Sequence, residues 1–222
     1  MTTPALPEFK NEQLLITALT HRSALNEHLS TATESNERLE FLGDAVLELI
    51  VTEFLFQKLP KEAEGKLTAI RSAMVKTTTL AEIGHELNIG QHLYMSKGEE
   101  STGGRHNESL LANSIEALIG ALYLDQGIAV PTKFLEQMLF PRYDQIMAEK
   151  AYRDHKSYLQ EIVQAKGHEA PLYEVIAEAG PDHDKIFTVQ VLVSGEKMGE
   201  GTGKSKQAAQ QEAAATALKK YK

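Results

Sequence analysis

A group of acidic residues set in an apolar run constrains this chain more than any other feature. Residues 36–48 read NERLEFLGDAVLE, and the carboxylates of Glu37, Glu40 and Asp44 are spaced by three and four. At 3.6 residues per turn, this spacing places all three on one stripe of a helix. Like charges on one stripe repel each other and favour a bound cation, for which a divalent metal ion is the natural choice.

The alternative is an ordinary solvated face, which acidic residues at helical spacing usually form. The rest of the helix argues against this alternative, because apolar residues from Leu39 to Leu55 cover nearly every other direction. A helix that is apolar almost all round is buried. The sequence therefore predicts that the carboxylate stripe faces a cleft.

The composition fits a protein with one large or two modest domains. The chain has 222 residues, of which 42% are hydrophobic. No apolar run approaches the roughly 18 residues of a membrane span, and the N-terminal residues lack the pattern of a secretory signal. We therefore expect a soluble, cytoplasmic protein with no membrane association. The absence of cysteine excludes disulfides and thiolate metal sites.

Hydrophobic periodicity divides the chain into two predicted parts. Residues 1–150 are predicted to form an all-helical domain, with a mobile Gly-rich loop at residues 97–107. Residues 153–222 are predicted to form an αβββα domain, in which Ser194 and Gly195 make a tight hairpin turn. The fold class is thus α plus α/β modules. The predicted helices are 12–20, 36–59, 62–76, 78–88, 108–124, 132–149, 156–166 and 205–220, and the predicted strands are 172–178, 186–193 and 196–201.

Four segments of the first domain resemble the ribonuclease III family, in that family's order. They are ERLEFLGDAVL at residues 37–47, LTHRSALNE at 19–27, EGKLTAIRSAMV at 64–75 and ESLLANSIEALIGALYLDQG at 108–127. The sequence GTGKSKQAAQQEAA, which opens the last helix, resembles a double-stranded RNA-binding domain. The resemblance implies a homodimeric, metal-dependent endoribonuclease that cleaves double-stranded RNA, including rRNA and mRNA precursors. It also implies products with 5′-phosphates and short 3′ overhangs.

The resemblance assigns metal ligation to four positions of this sequence. Three carry carboxylates, at Glu40, Asp44 and Glu116, of which Asp44 and Glu116 are the expected catalytic residues. The fourth is Asn113, where the family pattern has an acid. Two divalent ions about 4 Å apart can activate water and stabilise a leaving alkoxide, and Mg²⁺, or Mn²⁺ in its place, prefers oxygen ligands. Because an amide supplies only a neutral oxygen, Asn113 is expected to weaken Mg²⁺ binding.

Several residues keep two interpretations at this stage. The resemblance places Glu37 and Glu64 in an RNA-binding valley, but Glu64 is equally well explained by an interaction with its helix dipole. Phe41 is either ordinary core or, as the resemblance implies, a knob inserted into a partner subunit. His21 is a candidate general base, although a brace between helices is the stronger explanation.

Asn113 is also compatible with an alternative function. The protein would then bind double-stranded RNA on the same scaffold but cleave it poorly or not at all. A third possibility is that Asn113 was introduced to trap a complex. The sequence favours the enzyme, because the carboxylates at positions 40, 44 and 116 remain.

Charge predicts weak RNA binding without metal. The net charge is −8, with 13 Lys+Arg against 21 Asp+Glu in residues 1–152 and ten of each in residues 153–222. Duplex RNA is recognised by shape, 2′-hydroxyls and phosphates, so the second domain is expected to bind modestly and with a shallow salt dependence. Gln207 contributes to this expectation, because the resemblance has another Lys there. The resemblance assigns RNA contacts to Gln160, Glu161, His183, Lys204, Ser205 and Lys206.

Overall fold

The computed structural model describes residues 6–27, 29–149, 152, 154–181 and 185–221. The chain divides into two compact units, Met1–Tyr152 and Arg153–Lys222. The first unit is helical, and the second combines a three-stranded antiparallel sheet with two helices. The predicted fold class is therefore confirmed.

The first unit contains two long helices and several short ones. The two long helices are α3 and α8, and each of the others spans 11 residues or fewer in the described part of the chain. The helices are α1 (Glu12–Ala18), α2 (Arg22–Leu25), α3 (Glu37–Lys58), α4 (Glu64–Met74), α5 (Thr77–Glu86), α6 (Ile89–His92), α7 (Lys97–Ser101), α8 (Glu108–Gln126), α9 (Ala129–Met138) and α10 (Tyr143–Glu149).

Helix α8 forms the centre of the helical unit. Its residues between Leu111 and Leu122 are mostly buried, on every side of the helix. Asn107 caps its N-terminus, because the Asn107 side chain accepts hydrogen bonds from the main-chain N–H groups of Ser109 and Leu110. Helices α3 and α5 pack along it, and the three helices share one apolar core.

Two glycines allow α3 and α8 to approach at backbone distance. A Cβ atom on Gly43 of α3 would overlap the main-chain carbonyl of Glu116 and would lie 2.9 Å from the main-chain nitrogen of Gly120. A Cβ atom on Gly120 would likewise overlap the main-chain carbonyl of Leu39. Glycine in a helix interior destabilises the helix by about 1 kcal/mol relative to alanine. The close approach of the two backbones is therefore the physical reason why glycine occupies positions 43 and 120.

Helix α3 is not buried all round, contrary to the sequence prediction. One side packs into the core through Leu47, Ile50, Val51 and neighbouring residues. The large apolar side chains of Phe41, Leu49 and Phe56 are exposed by 82%, 60% and 71% in the single chain. Sequence periodicity cannot separate a helix buried within its own chain from one that keeps an apolar face for another molecule.

The segment predicted as a mobile loop at residues 97–107 is instead ordered. It contains α7 and a 3₁₀ turn at Gly104–His106. Ser96 caps α7 by accepting a hydrogen bond from the main-chain N–H of Glu99. Arg105 fixes the segment, because its guanidinium donates to the main-chain carbonyls of Gly90 and Leu93 and to the carboxylate of Glu100. Glycine content alone did not reveal this anchor.

The helix predicted at residues 132–149 is broken in two. Helix α9 ends at Met138, a 3₁₀ turn spans Phe140–Arg142, and α10 follows. Pro141 explains the break, since proline lacks an N–H group and its ring clashes with the preceding turn of an α-helix.

The second unit has the predicted order of helix, three strands and helix. The Ser194-Gly195 turn is confirmed, with φ of 51° and 82° in the left-handed region. Ser205 caps the last helix by accepting from the main-chain N–H of Ala208, also as predicted. The elements are α11 (His155–Ala165), β1 (Leu172–Ala179), β2 (Ile186–Val193), β3 (Glu196–Gly203) and α12 (Lys206–Leu218).

Strand β3 contacts α12 through its main chain. Gly199, Gly201 and Gly203 alternate along the strand, and a Cβ atom on any of them would come within 3 Å of α12 backbone atoms. The facing surface of α12 consists of small side chains, including the buried Ala209, Ala213 and Ala217. This contact fixes the position of the N-terminus of α12 on the sheet.

We predict that Gly43→Ala destabilises the helical unit by about 3 kcal/mol, because the added methyl group forces α3 and α8 apart. The matched control is Gly65→Ala in α4, where an added Cβ would meet nothing within 4 Å. Urea unfolding followed by circular dichroism measures both variants. Equal stability of the two variants would contradict the close contact.

Candidate active site

The contact between α3 and α8 brings four predicted ligand positions to one place. Glu40 and Asp44 lie one turn apart on α3, on either side of Gly43. Asn113 and Glu116 lie one turn apart on α8, and Glu116 is the residue whose main chain Gly43 touches. The backbone contact therefore places the two pairs of side chains opposite each other.

The electrostatics of Glu116 are set by its neighbours. Burial, followed by the nearby charges of Asp44 and Glu40, raises the pKa of the Glu116 carboxyl to about 7. The pKa of Glu40 is also raised, first by burial and then by the charges of Glu37 and Asp44. A hydrogen bond from the Asn113 side chain partly opposes this rise, because an N–H group stabilises the charged carboxylate.

The carboxylates of Glu40 and Asp44 are close enough to that of Glu116 to raise its pKa, but the three do not form a complete coordination shell for a metal ion. Among the described residues, no group of three or more His, Cys, Asp or Glu side chains is arranged so that it could hold a metal ion. The chemistry of the donors nevertheless fits a hard cation, since three carboxylates and one amide offer only oxygen ligands. A doubly charged ion would also relieve the repulsion that raises the pKa of Glu116.

A cavity of about 340 Å³ adjoins these side chains. Its lining includes Glu37, Glu40 and Asn113, and His21 and Arg22 add a basic side. His21 acts as the N-cap of α2, because its Nδ1 accepts a hydrogen bond from the main-chain N–H of Ser23. This contact is local to α2, so the choice between a brace and a general base stays a prediction.

Glu37 and Glu64 lie apart in the single chain. Glu37 accepts a hydrogen bond from Ser35 Oγ at 2.8 Å and lies 3.6 Å from Arg22 Nη1. Glu64 begins α4, accepts a hydrogen bond from Thr68 Oγ1 at 3.2 Å, and lines a different cavity of about 470 Å³. The chain by itself therefore brings Glu37, but not Glu64, to the cavity beside Glu40.

Phe41 projects from α3 into solvent, so the interpretation as ordinary core is excluded for the single chain. It borders a groove of about 570 Å³ that also involves Leu14, Leu42 and Leu124. Leu124 is itself 55% exposed. An exposed aromatic side chain next to an apolar groove is typical of a surface that contacts another molecule.

The predicted RNA contacts of the second unit lie at two places within that unit. Gln160 and Glu161 are exposed on α11, while Lys204, Ser205 and Lys206 are exposed where α12 begins. The Ser205 side chain serves as the helix cap, and Lys206 Nζ lies 3.6 Å from a carboxylate oxygen of Glu178. His183 falls outside the described residues.

Comparison with known proteins identifies both units. Residues 11–143 match the family model described as Ribonuclease-III-like. The chain belongs to the ribonuclease III family. Residues 155–221 match the model for the double-stranded RNA binding motif.

Relatives of the family agree over nearly the whole chain. Ribonuclease 3 of Anoxybacillus flavithermus is 49% identical over 217 residues, which are 96% of this chain and 90% of the relative. Ribonuclease 3 of Geobacillus thermodenitrificans is 49% identical over 210 residues, which are 95% of this chain and 85% of the relative. A solved nuclease domain of ribonuclease III from Campylobacter jejuni, described for flexibility in a region involved in dimer formation, is 43% identical with a TM-score of 0.55. That match covers 60% of this chain and 92% of the solved one.

This ribonuclease III family member is accordingly an endoribonuclease with a double-stranded RNA-binding domain. The alternative of an impaired binding protein is not favoured. Membership of the family indicates a nuclease that depends on a divalent metal ion. In the part of the chain that the structure describes, no helix is both long and apolar enough to cross a membrane.

Sequence reasoning missed the two glycines that build the site. Gly43 lies inside the quoted segment and Gly120 lies in the middle of a helix, but neither carries a functional group. The available signal was the glycine itself, which is unfavourable in a helix interior unless another backbone comes close.

We predict that the stabilising effect of Glu116→Gln grows with pH in metal-free protein. The folded-state pKa of about 7 lies above the ordinary value of 4.5, so ionised Glu116 destabilises the fold. This cost is absent below pH 4.5 and complete above pH 7. After allowance for partial exposure, the variant should gain about 1–2 kcal/mol over wild type across that range.

Urea unfolding in EDTA at several pH values measures this difference. The control is Glu136→Gln on the exposed side of α9, which removes the same charge elsewhere. A pH trend of equal size in both variants would rule out the assigned repulsion.

Proposed function

We infer that this protein hydrolyses double-stranded RNA with Mg²⁺, for which Mn²⁺ can substitute, at the site between α3 and α8. Glu40, Asp44 and Glu116 are the charged ligands, Asn113 is the neutral one, and Asp44 and Glu116 are the catalytic residues. The observation that carries this proposal is the backbone contact of Gly43 with Glu116, which brings the acids of α3 and α8 together. The raised pKa of Glu116 supports it, because its causes after burial are the charges of Asp44 and Glu40. Three acids held together at a cost in free energy favour a cation as their partner.

The protein residues hold and orient the reacting groups. When bound, a divalent ion supplies the positive charge that offsets the negative charge developing at the scissile phosphate. The Asn113 amide N–H donates to Glu40, which favours the charged form of that carboxylate, and Asn113 Oδ1 is the atom that an ion would contact. Burial of Glu116 makes its carboxylate sensitive to any nearby positive charge.

RNA contacts extend from this site. Glu37 and Glu64 belong to the catalytic valley in this proposal, and the cavity that contains Glu37 and Glu40 also offers Arg22 as a cationic side chain. The RNA-binding domain contacts the duplex by shape and backbone, with Gln160, Glu161 and the His183 loop in minor grooves. Lys204, Ser205 and Lys206 contact phosphates at the N-terminus of α12, where helix N–H groups favour anions.

The proposed substrates are rRNA and mRNA precursors, which are cut to products with 5′-phosphates and short 3′ overhangs. The named relatives are bacterial proteins. Bacterial precursors are made and processed in the cytoplasm, which we therefore propose as the location.

A homodimer completes the proposed enzyme. The exposed Phe41 and the groove beside it lie on one surface of the same chain, so a twofold axis could place each Phe41 in the groove of the other copy. Burying a phenylalanine side chain in this way stabilises association by about 2 kcal/mol per copy.

We predict that Phe41→Ala weakens dimerisation about 100-fold or more, because two copies lose this burial at once. The control is Phe56→Ala, which removes another largely exposed aromatic side chain further along α3, outside the groove. Sedimentation equilibrium measures both dissociation constants. A dimer as tight as wild type in Phe41→Ala would exclude this interface.

Incubation of the full chain with long duplex RNA tests the cleavage reaction. We expect cutting that requires Mg²⁺ or Mn²⁺, stops in EDTA and spares single-stranded RNA. Asp44→Asn should reduce the rate by at least about 100-fold, since it removes a charged ligand. The Glu136→Gln control should cut at the wild-type rate. Intact RNA at every Mg²⁺ and Mn²⁺ concentration would refute the proposal.

Asn113→Asp, tested in the same assay, measures the effect of the neutral ligand. A fourth carboxylate should lower the Mg²⁺ concentration that gives half-maximal cleavage, because added negative charge strengthens binding of a hard cation. An unchanged Mg²⁺ requirement would mean that position 113 does not contact the ion.

A further inference from the structure

The sheet register of the RNA-binding domain places an acidic residue beside the proposed phosphate site. Glu178 of β1 pairs with Phe187 of β2, and Phe187 pairs with Gly203 of β3. Gly203 is followed by Lys204, Ser205 and the start of α12. The row of paired residues therefore leads from Glu178 across the sheet to the N-terminus of α12.

The Glu178 carboxylate contacts two lysines. Its Oε1 lies 3.6 Å from Lys206 Nζ, and its Oε2 lies 3.4 Å from Lys185 Nζ. Lys206 Nζ also lies 5.5 Å from the centre of the Phe187 ring, where a cation is attracted by the aromatic face. These contacts hold the Lys206 ammonium group towards the sheet in the free protein.

A purely structural role explains Glu178 poorly. The side chains of Lys206, Lys185 and Glu178 are 59%, 36% and 39% exposed, and ion pairs with such exposure contribute little to folding. A carboxylate can also favour a helix N-terminus through the helix dipole, but salt screens that effect at an exposed site. The position of Glu178 matters more for RNA binding, because its carboxylate would repel an RNA phosphate at the start of α12.

We propose that Glu178 limits the affinity of the RNA-binding domain by competing with an RNA phosphate for Lys206. In the free protein, the carboxylate offsets part of the charge of Lys206, and RNA binding exchanges this ion pair for a lysine–phosphate pair. The inference rests on the proposed function, because it takes the phosphates to bind at the N-terminus of α12. It also supplies a physical cause for modest affinity in a domain with ten acidic and ten basic residues.

Exchange of one ion pair for another changes the salt dependence as well. A lysine that already has a carboxylate partner adds less to the net release of counterions from RNA than a lysine without one. Removal of the Glu178 charge should therefore both tighten binding and make it more sensitive to salt.

The test compares Glu178→Gln with Glu174→Gln in the full chain. Glu174 lies on the same strand and accepts a hydrogen bond from Gln190 Nε2, so its replacement makes the same charge change away from Lys206. Binding of a fluorescent 24-base-pair RNA duplex is measured by anisotropy in EDTA, which prevents cleavage, over a series of KCl concentrations.

Glu178→Gln should bind about three- to tenfold more tightly than wild type at low salt, with the slope of log K against log salt steeper by up to about 0.9. Glu174→Gln should change affinity less than twofold. Equal effects of the two variants would overturn the proposal, since only the net charge would then matter. Weaker binding of Glu178→Gln would also overturn it, because Glu178 would then position Lys206 for the phosphate.

Lys206→Gln separates failure of this inference from failure of the proposed function. It should weaken binding severalfold, and Glu178→Gln should tighten binding less in its presence than in wild type. If Lys206→Gln binds as wild type does, the proposed phosphate site itself is wrong. If Lys206→Gln weakens binding but Glu178→Gln does not tighten it, only the competition by Glu178 is wrong.

Discussion

Direct backbone contact between α3 and α8 is the constraint on which the candidate active site depends. Helices usually pack 8–10 Å apart because side chains separate their axes. Gly43 and Gly120 remove those side chains where the helices cross, so the main chain of each helix touches the other. Glu40 and Asp44 of α3 then share a small volume with Asn113 and Glu116 of α8. The chemistry at this place thus follows from two residues that carry no functional group.

The same contact brings carboxylates close together, and their mutual repulsion is only partly compensated by other groups of the protein. Glu40, Asp44 and Glu116 interact unfavourably, and the only compensation that the pKa shifts reveal among the described residues is the hydrogen bond from Asn113 to Glu40. A site of this kind is less stable without a cation than with one, so metal binding and local stability are linked. The excess of acidic residues in the helical unit also attracts cations to this unit from a longer distance.

The fold was predictable from the sequence where one local signal sufficed. The spacing of Glu40 and Asp44, the hairpin at Ser194-Gly195 and the Ser205 cap depend on residues close together in the chain, and the structure has them as predicted. The mistakes involve contacts distant in sequence or a missed proline. Arg105 orders the 97–107 segment through carbonyls 12 and 15 residues away, and Pro141 divides a helix that periodicity had joined.

The site was only partly predictable for the same reason. Helical spacing paired Glu40 with Asp44 and Asn113 with Glu116, but the meeting of the two pairs depends on glycines in separate helices. Likewise, the apolar residues of α3 did not reveal which of them would remain outside the core, because that depends on where α8 lies. The departure of Asn113 from the acidic pattern that the resemblance implies, and the roles of the four ligands, stay predictions.

The three glycines of β3 have a consequence for how this protein can evolve. Because α12 meets β3 through main-chain atoms and buried alanine side chains, the exposed side chains of Lys204 and Lys206 lie outside this contact. Mutations among those residues can therefore accumulate without loss of structure. The charges at the start of α12 can thus change between relatives while the scaffold stays the same.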